Sequence, residues 1–331
     1  MTSKRSNAGT PKPAPNFAHG ALLALGLVLG ITPARADVAL YQASVPLKGA
    51  SAADRTAGFG EALKVAAIRA TGRRDAATSP RITSAASDPT PYVQQYSTTS
   101  DRMLKVGFDA RAVEQLLQQA GLPLWPSERP VTTVLLFTPA VAGGARAVTT
   151  ADRPPERVEI ERAAQVRGVP LAWPSENIDS GTARARASSP GAGSAVLFGL
   201  SAGGAIDWSF AHAGQVARGR GSSADGADLA ADRLAARYAP ASTKGSGTVA
   251  VRIAGLDDVR SYAALMEYLE ALSLVRSVAV RELAGDSVRL DLTVRGDREL
   301  LARIFALDAR ISPAPGGESA ATDAPDFLWR P

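Results

Sequence analysis

Residues 287–295 read SVRLDLTVR, and this stretch decides the fold of the C-terminal third of the chain. Every second side chain from Val288 to Val294 is apolar, which is the pattern of a strand with one buried face. Asp297 follows as an N-cap for a helix whose apolar residues lie between positions 300 and 305. The stretch therefore predicts a half-buried strand that runs directly into a capped helix.

The elements around this stretch have the order of a ferredoxin-like fold. Residues 249–253 alternate like a strand, and residues 259–272 carry apolar side chains at helical spacing. Residues 275–280 form a second strand before the one quoted, and residues 327–329 can close the sheet as a final short strand. This order is β-α-β-β-α-β, so we expect a ferredoxin-like C-terminal domain over residues 248–331.

Residues 37–138 show the same order of elements in the N-terminal third of the chain. Asp109 caps the second helix there, as Asp297 does in the C-terminal unit. The apolar strand at residues 131–138 has two interpretations. It closes this first unit as its fourth strand, or it begins the middle domain.

The whole chain predicts an α+β or α/β protein of two or three small α/β sandwich domains. We expect an N-terminal α/β domain over residues 37–128, a middle α/β domain over 129–240, and a linker at 241–247 before the C-terminal domain. Residues 73–91 are polar and residues 179–193 are rich in small residues, so both stretches are predicted to be loops.

The first 36 residues have the order of a secretory signal peptide. They begin with basic residues and no acidic residue, continue with an apolar run at 21–31, and end in Ala34-Arg35-Ala36, which suits a signal peptidase. The apolar run is shorter than the roughly 20 residues that span a bilayer. We expect cleavage near Ala36/Asp37 and a periplasmic mature chain with no transmembrane segment.

Composition excludes several classes of function. The chain has 37 Lys and Arg against 32 Asp and Glu, but four basic residues lie in the leader, so the mature chain is almost neutral and nucleic acid is not an expected partner. The chain has no cysteine, which removes disulfides, thiolate metal sites and cysteine nucleophiles. His212 is the only histidine outside the leader, which excludes zinc sites with two or three histidines. We expect no catalytic, cofactor-binding or metal-binding residues and no cofactor.

One motif suggests catalysis. The segment Gly199-Leu200-Ser201-Ala202-Gly203 matches the G-x-S-x-G nucleophile elbow, and Asp207 and His212 follow in the order of that fold. An elbow turns directly into a helix, whereas residues 206–210 alternate like a returning strand. The pattern favours a hairpin turn of small residues, with a serine hydrolase that uses Ser201 as the alternative.

Two pairs of arginines lie in the stretches predicted to be loops, Arg73 with Arg74 and Arg184 with Arg186. Guanidinium groups bind phosphate and sulfate well, so these pairs could hold the anionic group of a glycan or a lipid headgroup. Ordinary solvated arginines are the simpler interpretation. No aromatic residues are interleaved with them, so they do not favour single-stranded nucleic acid.

Several segments of the chain outside the leader are distinctive in sequence: Val38–Tyr41, Arg69–Asp75, Tyr92–Tyr96, Val106–Asp109, Leu116–Trp125, Arg129–Pro130 and Arg167–Leu171. Together they resemble an exported bacterial family, the domain of unknown function 2066. That family has no assigned activity, so the resemblance implies an exported protein and adds no catalytic residues.

From these observations we expect an exported, non-enzymatic binding or accessory module of the cell envelope. Its partner would be an envelope protein or another envelope component, held at sheet edges or exposed loops. The Ser201 hydrolase and the binding of a glycan or lipid headgroup are the alternatives.

Overall fold

A computed structural model describes residues 39–140, 144–191, 193–239, 246–315 and 324–330. The predicted leader and its cleavage site lie outside the described residues, as does most of the predicted linker at 241–247. The described residues form three β-sheets with helices packed against them, which confirms the mixed α/β class with sandwich layers. The boundaries predicted between domains stay a prediction.

The N-terminal sheet has the strand order β1-β3-β2, and both neighbouring pairs are antiparallel. Helices cover one face only, where Val45, Leu104 and Val106 pack against Leu63 and Ala66. The elements of this region are β1 (Gln42–Pro46), α1 (Ala52–Thr71), α2 (Pro80–Ser87), β2 (Val93–Thr98), β3 (Met103–Phe108) and α3 (Ala110–Gln119).

Local chemistry explains where α1 begins and ends. The Ser51 side chain accepts a hydrogen bond from the Asp54 amide while the Asp54 carboxylate accepts one from the Ser51 amide, a reciprocal capping box. Gly72 ends the helix in the left-handed conformation, with φ at 69°.

The predicted loop at 73–91 is wrong in part, because it contains the helix α2. Ile82 is the buried residue of this helix, and a single apolar side chain produces no periodic pattern.

The strand near residues 131–138 belongs to the middle sheet, as the second interpretation had it. This sheet has the order β5-β4-β7-β8-β9. The short strands β5 and β6 share one edge of β4, where β6 pairs with the start of β4 and β5 with its end. Its elements are β4 (Thr132–Pro139), β5 (Ala145–Ala147), α4 (Pro155–Arg167), β6 (Leu171–Ala172), α5 (Ser180–Ser188), β7 (Ala195–Ala202), β8 (Ala205–His212), β9 (Gln215–Gly221) and α6 (Ser223–Tyr238).

Both faces of the middle sheet are covered near β4. Val134 and Leu136 face the core beneath α4 and α6, whereas Leu135 and Phe137 face α5. A central strand buried on both faces reads as a continuous apolar run, which is the sequence of β4.

The loop predicted at 179–193 is also wrong over its first half, where α5 lies. Asp179 caps the helix by accepting a hydrogen bond from the Thr182 amide at 2.9 Å. Ala183 and Ala187 are buried one helical turn apart against the sheet. Small alanine side chains lower the amplitude of the apolar pattern, which hid this helix in the sequence.

The C-terminal sheet has the order β11-β12-β10-β14-β13. Its first three strands and two helices follow the ferredoxin-like order, and the predicted strand at 327–329 exists. That strand, however, runs parallel to β10 and lies between β10 and the short β13. The elements are β10 (Ser246–Ala254), α7 (Val259–Ala271), β11 (Val275–Ala284), β12 (Ser287–Arg295), α8 (Arg298–Phe305), β13 (Ile311–Pro313) and β14 (Phe327–Trp329).

One apolar core runs from the middle sheet into the C-terminal sheet. It joins Leu197 and Leu234 of the middle region to Leu290 and Phe305 of the C-terminal region. The apolar core of the N-terminal sheet is a separate cluster. The N-terminal region is therefore attached to the rest by polar contacts more than by a shared core.

Candidate functional site

A cleft of about 350 Å³ lies over the open face of the N-terminal sheet, which no described helix covers. Its side chains are mostly polar, and none of those described is a carboxylate or a histidine. The lining consists of Ala39, Gln42, Ala43, Ser44, Arg69, Gln95, Tyr96, Ser97, Lys105, Val106, Gly107 and Gln165.

The strand register places the polar side chains of the floor in two rows. Gly107 lies between Gln42 and Gln95, and Lys105 lies between Ser44 and Ser97. Because alternate residues of a strand point to opposite faces, Leu104 and Val106 pack beneath the sheet while Lys105 points outward. Gly107 leaves room for its neighbour, since a Cβ there would lie 2.9 Å from Cγ of Gln95.

Arg69 reaches the cleft from the last turn of α1 and is only 7% exposed. Its Nε donates to the Gln165 carbonyl of α4 at 2.8 Å, and its Nη1 donates to the Ala39 carbonyl at 3.0 Å and to the Gln42 carbonyl. The described residues offer its Nη2 no hydrogen-bond partner. Burial lowers the pKa of this guanidinium.

Arg129 supports the cleft from behind. Its guanidinium donates to the carbonyls of Gly168 at 2.7 Å and Arg69 at 2.9 Å, and it lies 4.0 Å from the ring centroid of Trp125. It also donates to the carbonyls of Pro126 and Trp125. This one side chain therefore binds the carboxyl ends of α1 and α4 together, which holds Arg69 and Gln165 at the cleft.

Arg167 makes a second link between the same helices. It donates twice to the carbonyl of Gly72, the C-cap of α1, at 3.0 and 2.7 Å. Its other contacts are ion pairs with Asp228, at 2.6 Å, and with Asp232 of α6. The position of the N-terminal sheet relative to α4 is thus set by buried arginines.

The hydrolase motif forms a hairpin, as the alternation of residues 206–210 predicted. Ser201 lies on β7 opposite Ile206 of β8, with Gly203 and Gly204 in the turn, so no strand-to-helix elbow exists there. His212 is six residues beyond Ile206 along β8, which places it about 20 Å from Ser201. The geometry therefore argues against a hydrolase built on Ser201.

The partners of His212 and Asp207 are structural. The His212 ring bonds the Ser194 carbonyl and the Tyr238 hydroxyl, both at 2.7 Å, which ties β8 to α6. Burial lowers the pKa of His212, although the bond to the carbonyl of Ser194 opposes this shift. Asp207 pairs with Arg220 of β9 at 3.1 Å.

The arginine pairs singled out in the sequence are placed apart from the cleft. Arg73 pairs with Asp75, and Arg74 forks onto Asp228 with its closest contact at 2.7 Å. These carboxylates occupy the guanidinium groups that an anionic ligand would need.

The second pair lies on α5 rather than in a loop. Arg184 stacks over the ring of Phe198 at 5.5 Å, and Arg186 is exposed.

Residues of the cleft escaped the sequence analysis because each looks ordinary in its own segment. Lys105 is the polar residue of an alternating strand, and Gln165 is a polar position of a surface helix. The sequence does contain one local sign of this face, the charged residue Lys105 between the apolar residues Leu104 and Val106, which are buried.

The described ranges contain no group of three metal-ligating side chains, and none of their helices combines the length and the apolar character of a membrane span.

Comparison with known proteins finds no match among the curated proteins or the solved structures. A family model described as "Domain of unknown function (DUF8605)" matches residues 34–126. The resemblance to the domain of unknown function 2066 is therefore wrong, because the matching family is a different one. The matched residues include β1, β2 and β3 together with Arg69 and Lys105, so the likeness falls on the part of the chain that carries the cleft.

Proposed function

We propose that the protein is an exported, non-enzymatic binding module of the cell envelope and that it holds its ligand in the cleft of the N-terminal sheet. The observation that carries this proposal is the set of hydrogen-bonding side chains in the cleft that have no described partner. These are the side chains of Gln42, Ser44, Gln95, Ser97, Lys105 and Gln165. The volume of about 350 Å³ lies at the small end of ligand pockets, and the lining is more polar than is usual for them, which favours a polar ligand.

The chemistry of the lining favours binding over catalysis. General acid–base catalysis near neutral pH needs a group that exchanges a proton there, most often a histidine or a carboxylate. The described lining offers amides, hydroxyls, one guanidinium and one ammonium. Such groups orient a ligand and complement its charge.

The export part of the proposal depends on residues 1–36. A fusion of these residues to alkaline phosphatase tests it, because that enzyme is active only after translocation. We expect activity from the fusion and none after Lys4 and Arg5 are both changed to Glu, since the cationic start of the leader is then reversed. An active reporter in both fusions would contradict the prediction that the cationic start of residues 1–36 directs export.

Binding is tested with the mature chain and fractionated envelopes. We expect the chain to co-sediment with one envelope fraction, and we expect the Gln95→Ala, Lys105→Ala double variant to lose most of this association. Lys48→Gln is the matched control, because Lys48 is an exposed lysine of the same region outside the cleft. Equal sedimentation of the double variant and the control would contradict the proposed site.

A further inference from the structure

We infer that the cleft is an oxyanion site, in which Arg69 and Lys105 hold a carboxylate or phosphate group of a polar ligand. This inference rests on the proposed function and adds to it the chemical class of the ligand.

The environment of Arg69 is the first argument. Its guanidinium is almost fully buried, and its described partners are the backbone carbonyls of Gln165, Ala39 and Gln42. Carbonyl dipoles do not neutralise a positive charge, and a buried charge normally has a counter-charge close by. The remaining nitrogen, Nη2, belongs to a side chain that lines the cleft. An anion in the cleft would supply both the missing acceptor and the missing charge.

Arg129 is a second buried cation beside Arg69. Its described hydrogen-bond partners are also backbone carbonyls, and one of them is the carbonyl of Arg69 itself. Burial lowers the pKa of Arg129 and the charge of Arg69 adds to this shift, whereas Tyr41 and the Glu128 carboxylate oppose it. Burial alone accounts for the lowered pKa of Arg69. Glu128 thus lies near the charge of Arg129, and the charge of Arg69 is the one that attracts an anion into the cleft.

Lys105 supplies the second cationic contact. It stands between Ser44 and Ser97 on the open face, and it forms no hydrogen bond or ion pair with a described residue. The described lining of the cleft has these two cations and no acidic side chain. Asp101 lies outside this lining, although the charge of Lys105, after the hydrogen bond from Thr99, contributes to lowering the pKa of Asp101. The lining itself is thus complementary to one or two negative charges.

The neutral side chains indicate what else the ligand carries. Gln42, Gln95 and Gln165 can each donate and accept, as can the hydroxyls of Ser44 and Ser97. These groups suit a body rich in hydroxyl groups, and the volume of about 350 Å³ is at the small end of ligand pockets. Acidic sugars and phosphorylated polyols share this chemistry.

The test is an NMR titration of the mature chain with three probes, namely glucuronate, glycerol 3-phosphate and glucose. We expect at least one anionic probe to bind about tenfold more tightly than neutral glucose, since a charge-assisted hydrogen bond exceeds a neutral one by roughly that factor. The shifted amides should lie on β1, β2 and β3. The affinity should fall as salt is added, because screening weakens contacts between charges. Glucuronate above glycerol 3-phosphate assigns an acidic sugar, and the reverse order assigns a phosphate headgroup.

Lys105→Gln keeps a polar side chain, one atom shorter, and removes the charge. We expect this variant to bind the anionic probe about tenfold more weakly, whereas Lys48→Gln should bind it as the wild type does. Arg69→Lys is the second variant, and its fold is checked by circular dichroism. If that variant unfolds, Lys105→Gln decides the question, because an exposed lysine on a sheet surface is tolerated.

Two results would overturn the inference. The first is equal affinity for glucose and the anionic probes, and the second is equal affinity of Lys105→Gln and Lys48→Gln for the anionic probe. Envelope association that depends on Gln95 without any oxyanion preference would keep the proposed function and reject the oxyanion. Probe binding without envelope association would do the opposite.

Discussion

The N-terminal and C-terminal sheets begin with the same order of elements but differ beside their first strand. In the C-terminal sheet, β14 pairs with β10 along that edge. In the N-terminal sheet, no described strand pairs with the outer edge of β1, and the Arg69 side chain donates to the Ala39 and Gln42 carbonyls there. The C-terminal sheet thus has a paired strand along this edge. The N-terminal sheet has only the Arg69 side chain there, and the cleft lies beside it.

The open faces of the two sheets also differ in how their charged side chains are paired. Charges of the C-terminal face pair with one another, as Arg281 does with Asp291 at 2.6 Å and Arg252 with Glu282 at 3.7 Å. Lys105 of the N-terminal face has no such described partner. The N-terminal face therefore leaves the charge of Lys105 available to a ligand, whereas the C-terminal face pairs these charges internally.

The largest expected effect comes from Arg129→Leu, which removes the link that holds α1 to α4. The variant leaves several buried carbonyls without a donor, and each such group costs about 1–3 kcal/mol, so we expect the free energy of unfolding to fall by about 3–5 kcal/mol. Urea denaturation measures this change. Arg218→Ala is the control, because Arg218 is exposed on the edge strand β9 and should shift stability by less than about 0.5 kcal/mol. A similar loss in both variants would mean that Arg129 does not join the regions.

Matched leucines compare the covered faces of the two sheets. Leu104 on β3 and Leu290 on β12 are both completely buried. We expect Leu→Ala at either position to cost about 2–5 kcal/mol, with Leu283→Ala on the exposed part of β11 as control. A cost below about 1 kcal/mol at Leu104 alone would show that the N-terminal sheet is not packed like its counterpart.

Gly255→Ala tests how β14 is held against β10. Gly255 has φ at 92°, and a Cβ there would lie 2.4 Å from the Trp329 carbonyl oxygen. We expect a loss of about 2–3 kcal/mol, from the left-handed backbone together with the displaced strand. Gly285→Ala is the control with φ at 59° and no atom near the added Cβ, so only the backbone cost of about 1 kcal/mol should remain. Thermal unfolding of both variants gives the difference.

The smallest effect concerns His212, which lies in neither of the compared sheets. Burial lowers its folded pKa below the unfolded value of about 6.5, so its contribution to stability is complete above that pH and is lost as the pH falls. In His212→Gln we expect a flatter dependence between pH 7 and 5, with the slope reduced by at most about 1.4 kcal/mol per pH unit. Urea titrations at several pH values measure it. An unchanged slope would mean that His212 titrates alike in both states.

Alternation and capping predicted most of the secondary structure, because strands such as β12 repeat one large apolar residue at every second position. The approach failed where few or small side chains are buried, as with Ile82 in α2 and Ala183 in α5. The direction of β14 was not predictable either, since a three-residue strand contains no information on its partner. The cleft escaped for another reason. Arg69 and Gln165 meet through a contact between residues about a hundred positions apart, which no local pattern encodes.

The middle and C-terminal sheets share one continuous core, so we expect them to unfold together. Amides of β4, β7, β10 and β12 lie over one apolar cluster, so we expect their hydrogen exchange to report a single cooperative unit. Amides of β1 and β3 lie over a separate, smaller cluster and should exchange through an opening of their own. We therefore expect the cleft to lie on a unit that opens separately from the middle and C-terminal sheets.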